Sequence, residues 1–117
     1  VYALDFSMKS DKKTGIAKRV ADFSPRNVTG MDFSRDGKSL IIRNYLNAHL
    51  YTRSENQPWS DIIENAKPRT VVLPIQRQGE TICFTPDSQA VIVTSEFAGQ
   101  PIWKIKHTAQ MPAENKK

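Results

Sequence analysis

Three ionisable side chains stand near the starts or ends of apolar runs of this sequence, where their types could do chemistry. Arg43 ends the apolar run Leu40-Ile41-Ile42, Glu80 opens Thr81-Ile82-Cys83-Phe84, and Glu96 closes Val91-Ile92-Val93-Thr94-Ser95. A guanidinium offers a planar fork of donors that grips a phosphate or carboxylate through two bonds. Two carboxyl groups brought together can share acid and base roles, or supply oxygen ligands to Ca²⁺. Tyr45, two residues after Arg43, completes the set of ligand-binding candidates. The competing structural reading is that Arg43 pairs with a neighbouring glutamate and fixes the packing of two elements.

The elements that must position these residues are repeated. Val28-Thr29-Gly30-Met31-Asp32-Phe33-Ser34-Arg35-Asp36-Gly37 runs on into Leu40-Ile41-Ile42-Arg43. Gly79-Glu80-Thr81-Ile82-Cys83-Phe84-Thr85-Pro86-Asp87-Ser88 runs on into Val91-Ile92-Val93-Thr94. Phe33 aligns with Phe84 and Asp36 with Asp87, an offset of 51 residues. In this register Glu96 stands where Tyr45 stands, and Thr94 where Arg43 stands. Short apolar strands and tight turns repeating at this period point to an all-β fold, a partial β-propeller of four-stranded antiparallel blades.

The chain divides accordingly. Residues 1–23 read as the outer strands of an incomplete first blade, with arms at 1–7 and 16–23 and a turn at 9–15. Residues 28–75 form a second blade with strands at 28–34, 40–44, 48–53 and 70–75. An insertion at 54–68 interrupts it, and within it Pro58 to Ala66 reads as a short helix. Residues 79–106 form a third blade, with strands at 79–85, 90–95 and 100–106, and residues 107–117 a polar tail expected to be poorly ordered. A propeller takes typically about 4–8 blades. Two or three blades leave apolar faces and strand edges uncovered, and Val1 opens within a strand pattern rather than on Met. The chain is therefore expected to be part of a longer polypeptide, or to assemble with copies of itself or with other chains.

Composition narrows the function. The formal net charge is +5 over 117 residues, which raises nucleic acid as a partner. However, Lys9, Lys12, Lys13, Lys18 and Arg19 crowd a hairpin rather than alternating with aromatics, so a solvated surface is the better reading. Cys83 is the single cysteine; it sits in an apolar strand, forms no internal disulfide and has no metal-ligand spacing. No apolar stretch reaches transmembrane length, and no phosphate-binding or dinucleotide-binding glycine pattern is present. Asp36 and Asp87 read as turn residues, and Asp32 as a carboxylate of the central channel. His49 reads as an exposed strand residue. His49 and His107, the only imidazoles, show no ligand spacing. Trp59 and Trp103 could stack on a sugar, but Trp103 in Ile102-Trp103-Lys104-Ile105 reads as packing between blades.

Thr29-Gly30-Met31-Asp32-Phe33-Ser34-Arg35-Asp36-Gly37 followed by Ile42-Arg43-Asn44-Tyr45 resembles a blade of bacterial propeller proteins. Gly79-Glu80-Thr81-Ile82 with Thr94-Ser95-Glu96 resembles the blade that follows. The resemblance covers roughly residues 1–106 and is to the secreted, esterase-like and phytase-like propellers. It implies a secreted or periplasmic bacterial protein. It also implies a Ca²⁺-dependent activity that relies on a carboxylate cluster, which has no match in this segment. Two kinds of function follow. One is a scaffold segment that helps form a ring binding a small molecule or a protein. The other is a segment of a Ca²⁺-dependent phosphate or carboxylic ester hydrolase. A lectin-like ring closed by several short chains is a third reading.

Overall fold

The computed structural model describes residues 1–4 and 15–107. The expected turn at 9–15, except Gly15, and the tail beyond His107 lie outside the described residues. The fold is mostly β, in antiparallel sheets of two, four and three strands, none of them closed. The two-stranded sheet pairs β1 (Tyr2–Ala3) with β2 (Lys18–Arg19). The four-stranded sheet is a meander of β3 (Val28–Phe33), β4 (Ser39–Asn44), β5 (Asn47–Thr52) and β6 (Arg69–Val72). The three-stranded sheet joins β7 (Gly79–Phe84), β8 (Ala90–Ser95) and β9 (Trp103–Lys106) in the same sense. Among the described residues one helix, α1 (Trp59–Asn65), lies between β5 and β6.

The repeat seen in the sequence extends to backbone irregularities. The β3–β4 register shifts between Val28 and Gly30, and the β7–β8 register shifts between Gly79 and Thr81. Each bulge leaves one extra residue, Thr29 in one sheet and Glu80 in the other. The following turns use one hydrogen-bonding scheme. Ser34 Oγ donates to Asp36 Oδ1 at 2.6 Å and accepts from the Ser39 N–H at 2.8 Å. Thr85 Oγ1 donates to Asp87 Oδ1 at 2.5 Å and accepts from the Ala90 N–H at 3.1 Å. These bonds hold both aspartate carboxyls below the usual carboxylate range, with the hydroxyl as the largest cause. Gly37 takes the left-handed conformation in the first turn (φ 67°) and Ser88 takes it in the second (φ 56°). The conformation is strained for a serine, and the ladder around it imposes it.

Strand alternation sorts the side chains into two apolar layers. Ile41, Ala48, Leu50 and Val71 on one face of the four-stranded sheet pack against Ile82, Val91 and Val93 of the three-stranded sheet. Leu40, Ile42 and Tyr51 on the opposite face pack under Ile62 and Ile63 of α1 and under Ala21. Burying each large aliphatic contributes about 1.5–3 kcal/mol. The helix starts after an extended Pro58 and carries Asp61 in its first turn, where a carboxylate suits the positive end of the dipole. It stops at Ala66, two residues before Pro68.

Element ends differ from the sequence expectation where proline or left-handed residues intervene. β6 ends at Val72 rather than residue 75, because Pro74 offers no N–H to continue a ladder. β9 begins at Trp103 rather than residue 100, because Phe97 and Gly99 have positive φ and Pro101 follows. The turn between β4 and β5 is Tyr45-Leu46, and Asn47 already belongs to β5. His49 is half-buried, edge-on to Phe23 at 5.7 Å, rather than exposed. Trp103 is 45 % exposed at the sheet edge rather than packed between sheets.

Ile41→Ala, at the centre of the layer between the sheets, is expected to lower unfolding free energy by about 2–5 kcal/mol. Val72→Ala, at a side chain 77 % exposed, is expected to change it by under about 0.5 kcal/mol. Denaturant melts of the two variants check this difference.

Candidate functional site

Antiparallel pairing brings the end of β4, the start of β5, the start of β7 and the end of β8 to one end of the sheets. All four candidates from the sequence lie at this end. Asn44 shapes the β4–β5 turn by accepting, on Oδ1, the N–H groups of Leu46 and Asn47, both at 2.9 Å. This leaves Tyr45 at the tip, 41 % exposed. In the second sheet the Glu96 N–H donates to the Gln78 carbonyl at 3.0 Å and Ser95 Oγ donates to the same carbonyl at 2.8 Å. These bonds carry Glu96 one residue past the end of β8.

Glu80 is the bulge residue of β7, and bulges re-aim side chains. Its carboxyl meets that of Glu96 within hydrogen-bonding reach. The hydrogen bond to Glu96, with some burial and like-charge repulsion, pushes the Glu80 pKa above its ordinary value. The two carboxyl groups stand side by side, open to solvent, where they are able to present oxygens to a cation. The equivalent bulge residue, Thr29, instead donates its hydroxyl to the Gly79 carbonyl at 2.8 Å, tying β3 to β7.

Arg43 does not join the carboxylates. Its side chain is fully buried between the sheets. Nη1 donates to the Thr81 carbonyl at 2.9 Å and to Gln76 Oε1 at 3.3 Å, Nη2 to Gln76 Oε1 at 3.3 Å, and Nε to the Asn44 carbonyl at 3.3 Å. The expected ion pair with a neighbouring glutamate is replaced by these neutral oxygens. Burial pushes the guanidinium below its usual pKa. Gly79 makes room for it, since a Cβ there would collide with the guanidinium. Gln76 holds one end of this arrangement while its own Nε2 is buried without a partner among the described residues. Nothing in the polar linker Gln76-Arg77-Gln78 marks Gln76 for this role, which arises only where the linker passes between sheets.

The other polar residues singled out from the sequence have structural partners. Asp32 accepts the Phe84 N–H at 2.8 Å and so links β3 to β7. Trp59 packs edge-on to Phe33 at 5.3 Å, with the Arg53 guanidinium 4.8 Å from its ring. Cys83 is a free, half-buried residue of β7. Among the described residues, no group of three or more His, Cys, Asp or Glu side chains could hold a metal ion, and no helix is long and apolar enough to cross a membrane. Compared with protein-family models, curated proteins and solved structures, the chain matches none.

Two outcomes follow from this geometry. Arg43→Ala removes the donors that reach the Thr81 carbonyl and Gln76 Oε1, opens a cavity, and is expected to cost about 2–3 kcal/mol. Gly79→Ala is expected to destabilise by displacing the same guanidinium, so the double variant should cost less than the sum of the two, as read from a double-mutant cycle in urea.

The second outcome concerns pH. Glu80 has a raised folded pKa, so the folded state holds its proton longer than the unfolded chain, and stability is lost as pH rises above the unfolded value near 4.5. Glu80→Gln is expected to raise Tm at pH 7 and to leave it unchanged at pH 3. Thermal melts across this range check the sign.

Proposed function

We propose that this chain is a β-propeller segment contributing sheets to a scaffold that binds a ligand or partner at the Tyr45–Glu80–Glu96 end. One observation carries the reading. Val91 and Val93 of the second repeat correspond to Leu40 and Ile42 of the first. Val91 and Val93 pack against the first sheet, whereas Leu40 and Ile42 pack on α1 and the residues around Ala21. Each repeat therefore turns its equivalent face toward what precedes it, a head-to-tail order that further sheets can continue in either direction. At one limit Val28, Met31 and Phe33 are 42–47 % exposed. At the other, Cys83 and Ile92 lie on the face of the second sheet that no described element covers. A further sheet, from a longer polypeptide or another copy, fits that vacancy.

The Glu80–Glu96 contact favours a second reading, a segment of a Ca²⁺-dependent ester hydrolase. Two carboxylates fall short of the 6–8 oxygen ligands Ca²⁺ takes, so this reading draws its remaining ligands from other segments. Adding CaCl₂ to the chain is the direct comparison: a Tm rise abolished by Glu80→Gln favours it over a purely structural scaffold.

Light scattering across concentration tests the scaffold. The apparent mass of the chain is expected to increase with concentration. Met31→Glu, on the thinly covered face of β3, and Ile92→Glu, on the uncovered face of the second sheet, are each expected to return it to a single chain. A single-chain mass at every concentration, with stability independent of concentration, overturns the head-to-tail reading.

A further inference from the structure

Three connections emerge at the end of the sheets that holds Tyr45, Glu80 and Glu96, and each carries exposed apolar side chains. The β4–β5 turn presents Tyr45 and Leu46. The linker from β6 to β7 presents Ile75, since Val72 pairs with Asn47 at this end and Gly79 with Ser95. The connection from β8 to β9 presents Phe97, Ile102 and Trp103. Leu46 and Ile102 are 77 % and 74 % exposed, and Ile75 is fully exposed. Apolar side chains exposed singly are ordinary, whereas a set of them rimmed by polar residues marks an interaction surface. This end is away from His107, which follows β9 at the other end and donates its N–H to the Gln89 carbonyl.

Phe97 adopts the left-handed conformation (φ 80°), which is strained for an aromatic residue. Gly99, two residues on, takes the same conformation freely (φ 76°). The Arg77 guanidinium lies 5.8 Å from the Phe97 ring, so the ring rests on the β6–β7 linker and stays exposed rather than folding into a core.

Charge decides what such a surface takes. The bulge of β7 sets half-buried Glu80 against exposed Glu96. Among the described residues no cation pairs with either carboxylate. When both are ionised their like charges repel, and a cation set against both relieves that repulsion. An anionic lipid surface brings further negative charge to them, which argues against a membrane as the occupant.

We propose that this end docks a protein segment that carries lysine or arginine beside aliphatic side chains. The aliphatic groups lie on Leu46, Phe97 and their neighbours, and the cations lie on Glu80 and Glu96, whose oxygens match their donors. The inference rests on the reading that this end of the sheets binds a partner, and it names the chemistry of that partner.

The test is an NMR titration of the full chain with three short blocked peptides at fixed ionic strength. One alternates leucine with lysine, one leucine with glutamate, and one serine with lysine. Saturable shifts of the Leu46, Gln78, Glu96 and Phe97 amides are expected with the first, which should bind about tenfold more tightly than either of the others. Glu96→Gln and Leu46→Ser, both at exposed side chains, are each expected to weaken it about tenfold. Glu55→Gln, beside Lys38 at the opposite end, should have no effect. Equal affinity in Glu96→Gln, or the glutamate peptide binding as tightly at the same amides, overturns the cationic partner and leaves this end a binding surface. No saturable shift with any peptide overturns the proposal. If phosphatidylserine vesicles then sediment the chain and not its Leu46→Ser variant, the occupant is a lipid surface. If they do not sediment the chain, the binding reading of this end fails as well.

Discussion

The apolar layer between the two larger sheets is the contact on which the rest of the structure depends. Ile41 and Val91, both fully buried, meet in it because each sits on an inward-facing position of its own strand. The four-stranded sheet is apolar on both faces, so it cannot stand with either face in water. The second sheet covers one face, and α1 with the residues around Ala21 covers the other. The insertion between β5 and β6 is thus part of the core: Ile62 and Ile63 cover this face as the second sheet covers the other. The cover is thinnest over β3, where Met31 and Phe33 remain over 40 % exposed.

Within that layer the first strands of the two larger sheets, β3 and β7, approach closely. Thr29 and Asp32 of β3 reach the Gly79 carbonyl and the Phe84 N–H of β7. The order of these partners shows the two strands running in the same direction. Arg43 fills the end of the layer with a charge that meets only carbonyl and amide oxygens. An unpaired buried charge is costly, and three acceptor oxygens directed at one guanidinium offset part of that cost. The arrangement also fixes the linker through Gln76, and so fixes how the second sheet follows the first.

The two ends of the sheets have different chemistry for a topological reason. One end gathers the bulge residue of β7 and the residue after β8, which places Glu80 against Glu96. The other end gathers the hydroxyl–aspartate turns, whose carboxylates are bound locally, and beside them the cations that follow α1. The same turn scheme is made by Ser34-Arg35-Asp36-Gly37 and by Thr85-Pro86-Asp87-Ser88, so side-chain chemistry rather than residue identity is what repeats.

The sequence by itself determined the strands, the turns and their order. Period-two alternation and turn residues are local signals, and the repeat of Phe33 in Phe84 doubled each one. The helix was legible to within a residue at each end, because Pro58 and Pro68 bracket it. The gathering of Tyr45, Glu80 and Glu96 at one end was legible too, since antiparallel order decides which strand ends meet. Only the tertiary structure decided what these residues touch. Arg43 reads as a ligand clamp in sequence, yet it is enclosed by Gln76 and Thr81, which lie 33 and 38 residues away along the chain. Nor does sequence show that the bulge turns Glu80 onto Glu96. Local pattern encodes the conformation of a segment, whereas a binding site is made by contacts between segments, and those are set by how the apolar faces stack.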